Sequence, residues 1–161
     1  MTSEASSAAR QPRVVEIAAD GVPMPRRSAQ LSGFCAKALA AAGHSSWQVS
    51  VLICGDERIT ALNCRYLGRN TPTDVLSFPE EEGRKEGPVR GDIAISLPAL
   101  FRNAAAFDVS ENEEMKRLLI HGLLHLAGMD HGRGKSGKML ALQEALLEKL
   151  RSEKIFRETR K

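Results

Sequence analysis

The chain has few aromatic residues and few cysteines, and it has no long apolar run. Aromatics make up 4% of the 161 residues, so we expect a core built mostly from Leu, Ile, Val and Ala. The three cysteines form no C-x-x-C pair, which argues against a secreted disulfide framework. No segment approaches the ~20 apolar residues of a membrane span. We therefore expect a cytoplasmic protein with no membrane partner.

The N-terminal stretch "MTSEASSAARQPR" is polar and lacks the apolar middle of a signal peptide. We expect residues 1–12 to form a disordered leader. A chain of 161 residues indicates one domain, and it is long enough to bury a self-sufficient core. We place this domain at residues 13–154 and expect a basic tail at residues 155–161.

Strand and helix patterns are interleaved along the chain. The polar loop after residue 79 has no helical pattern, so the strands on either side of it should pair without a crossover. We predict an α/β (α+β) fold: one domain with a mixed four-stranded sheet, about five helices and a central buried helix. The predicted strands are 13–18, 47–54, 73–79 and 92–96, and the predicted helices are 27–43, 56–68, two that begin near Pro98 and Ser110, and 137–153.

The helix predicted from Ser110 has the strongest pattern in the sequence. Ser110 and Glu113 form a capping box, and the later turns are apolar almost all round, which is typical of a buried helix. His121 and His125 are four residues apart and therefore lie on one face. Gly128 follows, and because glycine adopts the left-handed conformation without strain, the chain can turn back there.

Three of the four histidines lie in "HGLLHLAGMDH", residues 121–131. After the turn at Gly128, His131 can approach His121 and His125, which leaves a fourth position open as in a catalytic zinc site. A single buried histidine is more often a hydrogen-bonded core residue, but three without partners would each carry a desolvation cost. We predict one zinc ion per chain, although nickel or copper would also bind imidazoles.

The spacing H-x-x-x-H-x-x-G-x-x-H matches the metal-binding segment of metzincin proteases. Those proteases carry a glutamate directly after the first histidine as the general base. Here that position is Gly122, so no carboxylate can act from it. The sequence argues against a peptidase, and a zinc metalloprotease-like hydrolase stays as an alternative.

Two long motifs together resemble the YbeY family of endoribonucleases. "HGLLHLAGMDH" is similar to the family signature H-G-x-L-H-L-x-G-[Y]-D-H, and "LNCRYLGRNTPTDVLSFP" (62–79) and "GDIAIS" (91–96) resemble its upstream blocks. The similarity runs from roughly residue 47 to residue 150. It implies a single α/β domain with zinc held by His121, His125 and His131.

The resemblance also implies an activity and its partners. The implied activity is metal-dependent cleavage of single-stranded RNA, in 16S rRNA 3′-end maturation and ribosome quality control. The implied partners are rRNA and the small ribosomal subunit with its proteins, and no DNA is expected. Either an activated water or the RNA 2′-hydroxyl attacks, and the sequence does not choose between them. A ribosome assembly factor with a structural zinc or little catalytic activity is a further alternative.

The chain departs from the family next to Tyr66. Many members have an arginine directly after this tyrosine, and that arginine is implicated in activity. Here the position is Leu67. We expect Arg69 to supply the catalytic charge from a neighbouring position; a solvated arginine at the helix end is the equal alternative.

Further site residues are predicted around these motifs. Asp74 is expected to border the cleft as a catalytic residue, or else to cap or form an ion pair. Asp130 is expected to orient an imidazole, or else to bond its own backbone in a turn. Basic residues could bind RNA phosphates, or else form a solvated surface. The predicted RNA-binding residues are Arg65, Arg133, Lys135 and Lys138.

Overall fold

A computed structural model describes residues 11–82, 86–129 and 136–157 of the chain. Strands and helices are interleaved along the chain, as the sequence patterns predict. The strands are β1 (Arg13–Ala19), β2 (Trp47–Cys54), β3 (Val75–Pro79) and β4 (Val89–Ser96). The helices are α1 (Ser28–Ala41), α2 (Asp56–Leu67), α3 (Leu97–Phe107), α4 (Glu111–Leu126) and α5 (Ser136–Lys149).

The sheet is mixed, in the order β1-β2-β4-β3. The β1–β2 and β2–β4 pairs are parallel, and β3 runs antiparallel to β4. Helix α1 makes the crossover that parallel pairing of β1 and β2 requires, whereas the loop between β3 and β4 needs none. The predicted mixed four-stranded sheet and five helices are therefore confirmed.

Strand β4 begins at Val89, three residues earlier than predicted. Pro88 and Gly91 suggest a loop in the sequence, yet Val89 pairs with Trp47 of β2 and Gly91 pairs with Pro79 of β3. A strand bonded on both sides extends as far as its partners allow, and the local pattern does not contain those partners.

The core lies between one face of the sheet and helices α1 and α4. Side chains from β2 and β4 meet apolar residues of these two helices in one cluster. Its members are mostly aliphatic, with Phe34, Trp47 and Phe156 as the aromatic contributors. The core is therefore mainly aliphatic, as the low aromatic content predicts.

The folded domain extends past the predicted boundary at residue 154. Ile155 and Phe156 are buried, and their backbone amides donate to Asn112 Oδ1 at 2.7 and 3.1 Å. The surrounding charges suggested a basic tail, but these two apolar side chains reach the core. At the other end, the carbonyl of Pro12 accepts a hydrogen bond from the Trp47 amide, and residues 1–10 lie outside the described ranges.

Gly91 allows a close approach between the sheet edge and the end of α4. Its φ of +151° favours glycine, and a Cβ there would overlap the carbonyl oxygen of Phe78 and lie 2.7 Å from Leu126 Cδ2. The last turn of α4 can therefore lie directly against β3 and β4.

Within the described residues, no helix is both long enough and apolar enough to cross a bilayer.

Candidate metal and RNA site

A cleft of about 820 Å³ opens between the C-terminal half of α4, strand β3 and the loop that follows α2. The lining is mixed, with imidazoles, hydroxyls and an amide beside apolar side chains. The described lining residues are Asn63, Leu67, Arg69, Thr71, Pro72, Thr73, Val75, Leu76, Ser77, Pro79, Glu82, His121, His125, Gly128 and Met129.

His121 and His125 form a pair in this cleft. Their Nε2 atoms are 3.1 Å apart, and their ring planes cross at 73°. Ser110 Oγ accepts a hydrogen bond from the Glu113 amide and caps the helix, as predicted. The four-residue spacing then places both imidazoles on the same face of α4. Gly128, two residues after the end of this helix, has a φ of +89°.

Gln143 is a site residue that the sequence reasoning missed. It lies on α5 with 4% of its surface exposed, and its Oε1 is 2.9 Å from His121 Nδ1. The sequence does contain a sign of this role: Gln143 is an amide in an otherwise apolar stripe of α5, between Met139 and Leu146, which are both buried. A polar residue in such a stripe requires a buried hydrogen-bond partner.

The histidine pair fits a metal ion of the predicted kind. Two imidazole nitrogens at ~2.0–2.1 Å from a tetrahedral zinc lie about 3.4 Å apart, close to the 3.1 Å between the two Nε2 atoms. Ligating histidines also bond an acceptor through their other ring nitrogen, as His121 does with Gln143. Within residues 11–82, 86–129 and 136–157, no group of three His, Cys, Asp or Glu side chains could hold a metal.

The third predicted ligand, His131, lies outside the described residues, as do Asp130, Arg133 and Lys135. Their predicted roles in metal binding, imidazole orientation and RNA binding stay predictions. The fourth histidine, His44, follows α1 and is not among the residues that line the cleft. Burial lowers its pKa.

Arg69 lies in the cleft because Asn63 holds the loop after α2. The buried Asn63 side chain donates from Nδ2 to the Thr71 carbonyl at 2.9 Å, and the Arg69 amide donates to the Asn63 carbonyl at 3.3 Å. Gly68, with φ of +68°, turns the chain out of α2. Leu67, at the position of the family arginine, lines the same cleft.

Asp74 lies in a charged network behind the cleft rather than in its lining. Its Oδ2 accepts from Asn103 Nδ2 at 3.0 Å and is 3.6 Å from Arg117 Nη2. The buried Glu114 also pairs with Arg117, and these carboxylates raise the pKa of the guanidinium, chiefly through the hydrogen bond to Glu114. These contacts match the alternative in which Asp74 forms an ion pair. Its catalytic role stays a prediction.

Arg65 and Lys138 are both exposed and neither is part of the described cleft lining. The Arg65 guanidinium lies 5.4 Å from the ring centre of Tyr66, which is also absent from the cleft lining. Lys138 belongs to the first turn of α5. Their RNA-binding role stays a prediction.

Gly122 faces the core and not the cleft. A Cβ at this position would meet three atoms of the Ile93 side chain at 3.0, 3.0 and 3.2 Å. The absence of a side chain therefore lets α4 pack closely on β4. Only its carbonyl is directed towards β3, where Ser77 Oγ donates to it at 3.3 Å.

Together these features define a small α/β domain with a single mixed sheet and a polar cleft built around paired imidazoles. The family model described as Endoribonuclease YbeY matches residues 24–151. The chain belongs to the endoribonuclease YbeY family, as its motifs predict.

Individual relatives agree with this assignment. The endoribonuclease YbeY of Treponema denticola is 40% identical over 134 residues, which cover 80% of this chain and 86% of that protein. The endoribonuclease YbeY of Treponema pallidum is 41% identical over 140 residues, covering 83% and 87%. A solution structure of a Thermotoga maritima protein superimposes with a TM-score of 0.57 at 26% identity, covering 86% of this chain and 93% of that one.

Proposed function

We propose that this protein is a zinc-dependent endoribonuclease that cleaves single-stranded rRNA. We place its activity in 16S rRNA 3′-end maturation and ribosome quality control in the cytoplasm, with the small ribosomal subunit and its proteins as partners. The observation that carries the proposal is the histidine pair, with Nε2 atoms 3.1 Å apart, in a cleft that also holds Arg69. Membership of the endoribonuclease YbeY family supports the reaction class.

The zinc would be held by His121 and His125, with His131 as the proposed third ligand. Three imidazoles would leave one position open, which is typical of catalytic rather than structural zinc. Bound zinc supplies a Lewis acid for a phosphoryl oxygen and lowers the pKa of water. Side chains of the cleft would bind the RNA and compensate the negative charge of its phosphate.

The cleft lining suits a single nucleotide strand. Arg69 can pair with a phosphate and compensate the charge that accumulates on it during cleavage. The hydroxyls of Thr71 and Thr73 offer donors to phosphate and sugar oxygens. Leu67 and Met129 offer apolar contact to an unstacked base. The bases of a duplex are paired and stacked, so they could not make these apolar contacts.

Metal removal tests the proposed activity. We expect the purified protein to contain about one zinc per chain and to cleave a single-stranded rRNA fragment. Chelation should abolish cleavage, and added zinc should restore it. A duplex of the same sequence, incubated in parallel, should be cut poorly. Equal cleavage of the single strand before and after verified removal of the metal would exclude the metallonuclease.

Replacing Arg69 with alanine should lower kcat/KM for RNA cleavage roughly 10²-fold, the usual effect of removing one donor that compensates transition-state charge. Arg65→Ala is the matched control: the same charge is removed from the same helix end, but outside the cleft lining. At saturating RNA it should turn over near the wild-type kcat, because its predicted contact is with RNA phosphates and not with the group that reacts. Adding Leu67→Arg to Arg69→Ala should recover part of the rate, since residue 67 lines the same cleft. Wild-type rates in both single variants would remove either arginine from the mechanism.

A further inference from the structure

We propose that Gln143 is the positioning residue that sets the tautomer of His121 and directs His121 Nε2 towards the metal. This inference rests on the proposed function and deepens it. Gln143 lies on a different helix, does not reach the cleft lining, and acts only through the imidazole ring.

The first step is the chemistry of the hydrogen bond. Gln143 Oε1 is an acceptor, so at 2.9 Å the Nδ1 of His121 must carry the proton and donate it. A neutral imidazole protonated on Nδ1 keeps its lone pair on Nε2. That nitrogen is the one that lies 3.1 Å from Nε2 of His125. The amide oxygen therefore selects the tautomer that can coordinate metal at the point where both Nε2 atoms meet.

The direction of the amide decides the sign of this effect. With its NH₂ group turned to His121, Gln143 would donate to Nδ1, and the proton of the neutral imidazole would then lie on Nε2. Such a ring could not ligate through Nε2. The two amide orientations therefore differ in the position of one proton on His121, which can be observed directly.

The second step is the position of α5. Met139 and Leu146 are buried on either side of Gln143, and Gln143 itself is 4% exposed. The amide therefore cannot swing into solvent. Its neutral charge also suits this environment, because an unpaired buried carboxylate would carry a larger desolvation cost.

The end of α5 is held to α4 by hydrogen bonds from two buried side chains. Lys116 is 0% exposed, and its Nζ donates to the carbonyls of Leu150 and Arg151 at 3.3 and 3.0 Å. Asn112 donates to the Glu153 carbonyl at 3.1 Å. The positive charge lies at the negative end of the helix dipole, where it stabilises the helix. Helix α4 thus carries His121 and also Lys116 and Asn112, which hold the end of α5.

The proton on His121 is measurable by long-range ¹H–¹⁵N correlation on ¹⁵N-histidine-labelled protein. The spectra would be recorded on metal-free protein at about pH 8, above the ordinary histidine pKa of about 6.5. We expect His121 to be protonated on Nδ1 in the wild type. In Gln143→Met, which keeps the side-chain length but has no strong acceptor, we expect this state to be lost and zinc affinity to fall about 10–100-fold. Affinity is measured by competition with a chelator.

Two further variants separate positioning from packing. Gln143→Glu keeps an acceptor at the same place and should retain both the Nδ1 proton and zinc binding, even if Gln143→Met does not fold. Leu146→Val, one turn along the same buried stripe, should lower the melting temperature while leaving the tautomer unchanged. An Nε2-protonated His121 in the wild type, loss of zinc binding in Gln143→Glu, or unchanged affinity in folded Gln143→Met would each overturn the proposal. A wild type that binds no zinc would instead refute the proposed function.

Discussion

Replacing His121 with alanine should remove stoichiometric zinc and lower RNA cleavage by about 10³-fold or more. The expectation follows from the several kcal/mol of transition-state stabilisation that a catalytic metal supplies. His125→Ala should have the same effect, because the two Nε2 atoms, 3.1 Å apart, serve one site. Since the two residues act as a unit, the double variant should be no worse than either single variant.

His44→Ala is the control for this pair. It removes the one other histidine of the described residues, which is not part of the cleft lining. It should retain both zinc and cleavage. Metal content by mass spectrometry and cleavage of a labelled single-stranded rRNA fragment measure both properties on the same preparation. Full cleavage by folded His121→Ala would show that the reaction does not depend on this site.

Gly122→Glu should destabilise the protein by several kcal/mol and should not create a peptidase. The added Cβ alone would meet Ile93 at 3.0 Å, and crowding of this kind costs about 1–3 kcal/mol. The remaining atoms would bury a carboxylate among the apolar residues of β4, which adds a further penalty. The side chain would point to the core, so it could not act on a substrate in the cleft.

Two variants calibrate this result. Gly122→Ala has only the Cβ, and better helix propensity, up to ~1 kcal/mol, offsets part of its crowding. Gly33→Glu introduces the same side chain into α1, where a Cβ meets no atom within 4 Å, and should be neutral or slightly stabilising, because glutamate has a better helix propensity than glycine. Urea unfolding measures all three. A stably folded Gly122→Glu that hydrolyses peptides would contradict the core-facing orientation of position 122.

The position of Gly122 illustrates what the sequence can and cannot explain. A glycine instead of a glutamate directly after the first histidine correctly separates the chain from metzincin proteases. The physical reason for glycine there is different, however: position 122 lies against Ile93, and no local pattern identifies that neighbour. The same holds for Asp74, whose partners Asn103 and Arg117 are distant in the chain.

Local interactions explain the predictions that succeeded. A cap at Ser110, two histidines four residues apart and a glycine after the last turn all lie within one helix and its ends. Their geometry depends on the helical repeat and on backbone freedom at Gly128, so the residue types suffice. The mixed sheet also followed, since loop length and composition distinguish a hairpin from a crossover.

The sequence by itself determined the family, the helix that presents His121 and His125, and the succession of strands and helices along the chain. Only the tertiary structure decided that Gln143, 22 residues away, bonds His121, that Arg69 enters the cleft, and that Ile155 and Phe156 complete the core. The physical reason is range. Helical spacing and turns are set by neighbours along the chain, whereas a buried hydrogen bond or an apolar contact is set by whichever distant segment fills the space beside it.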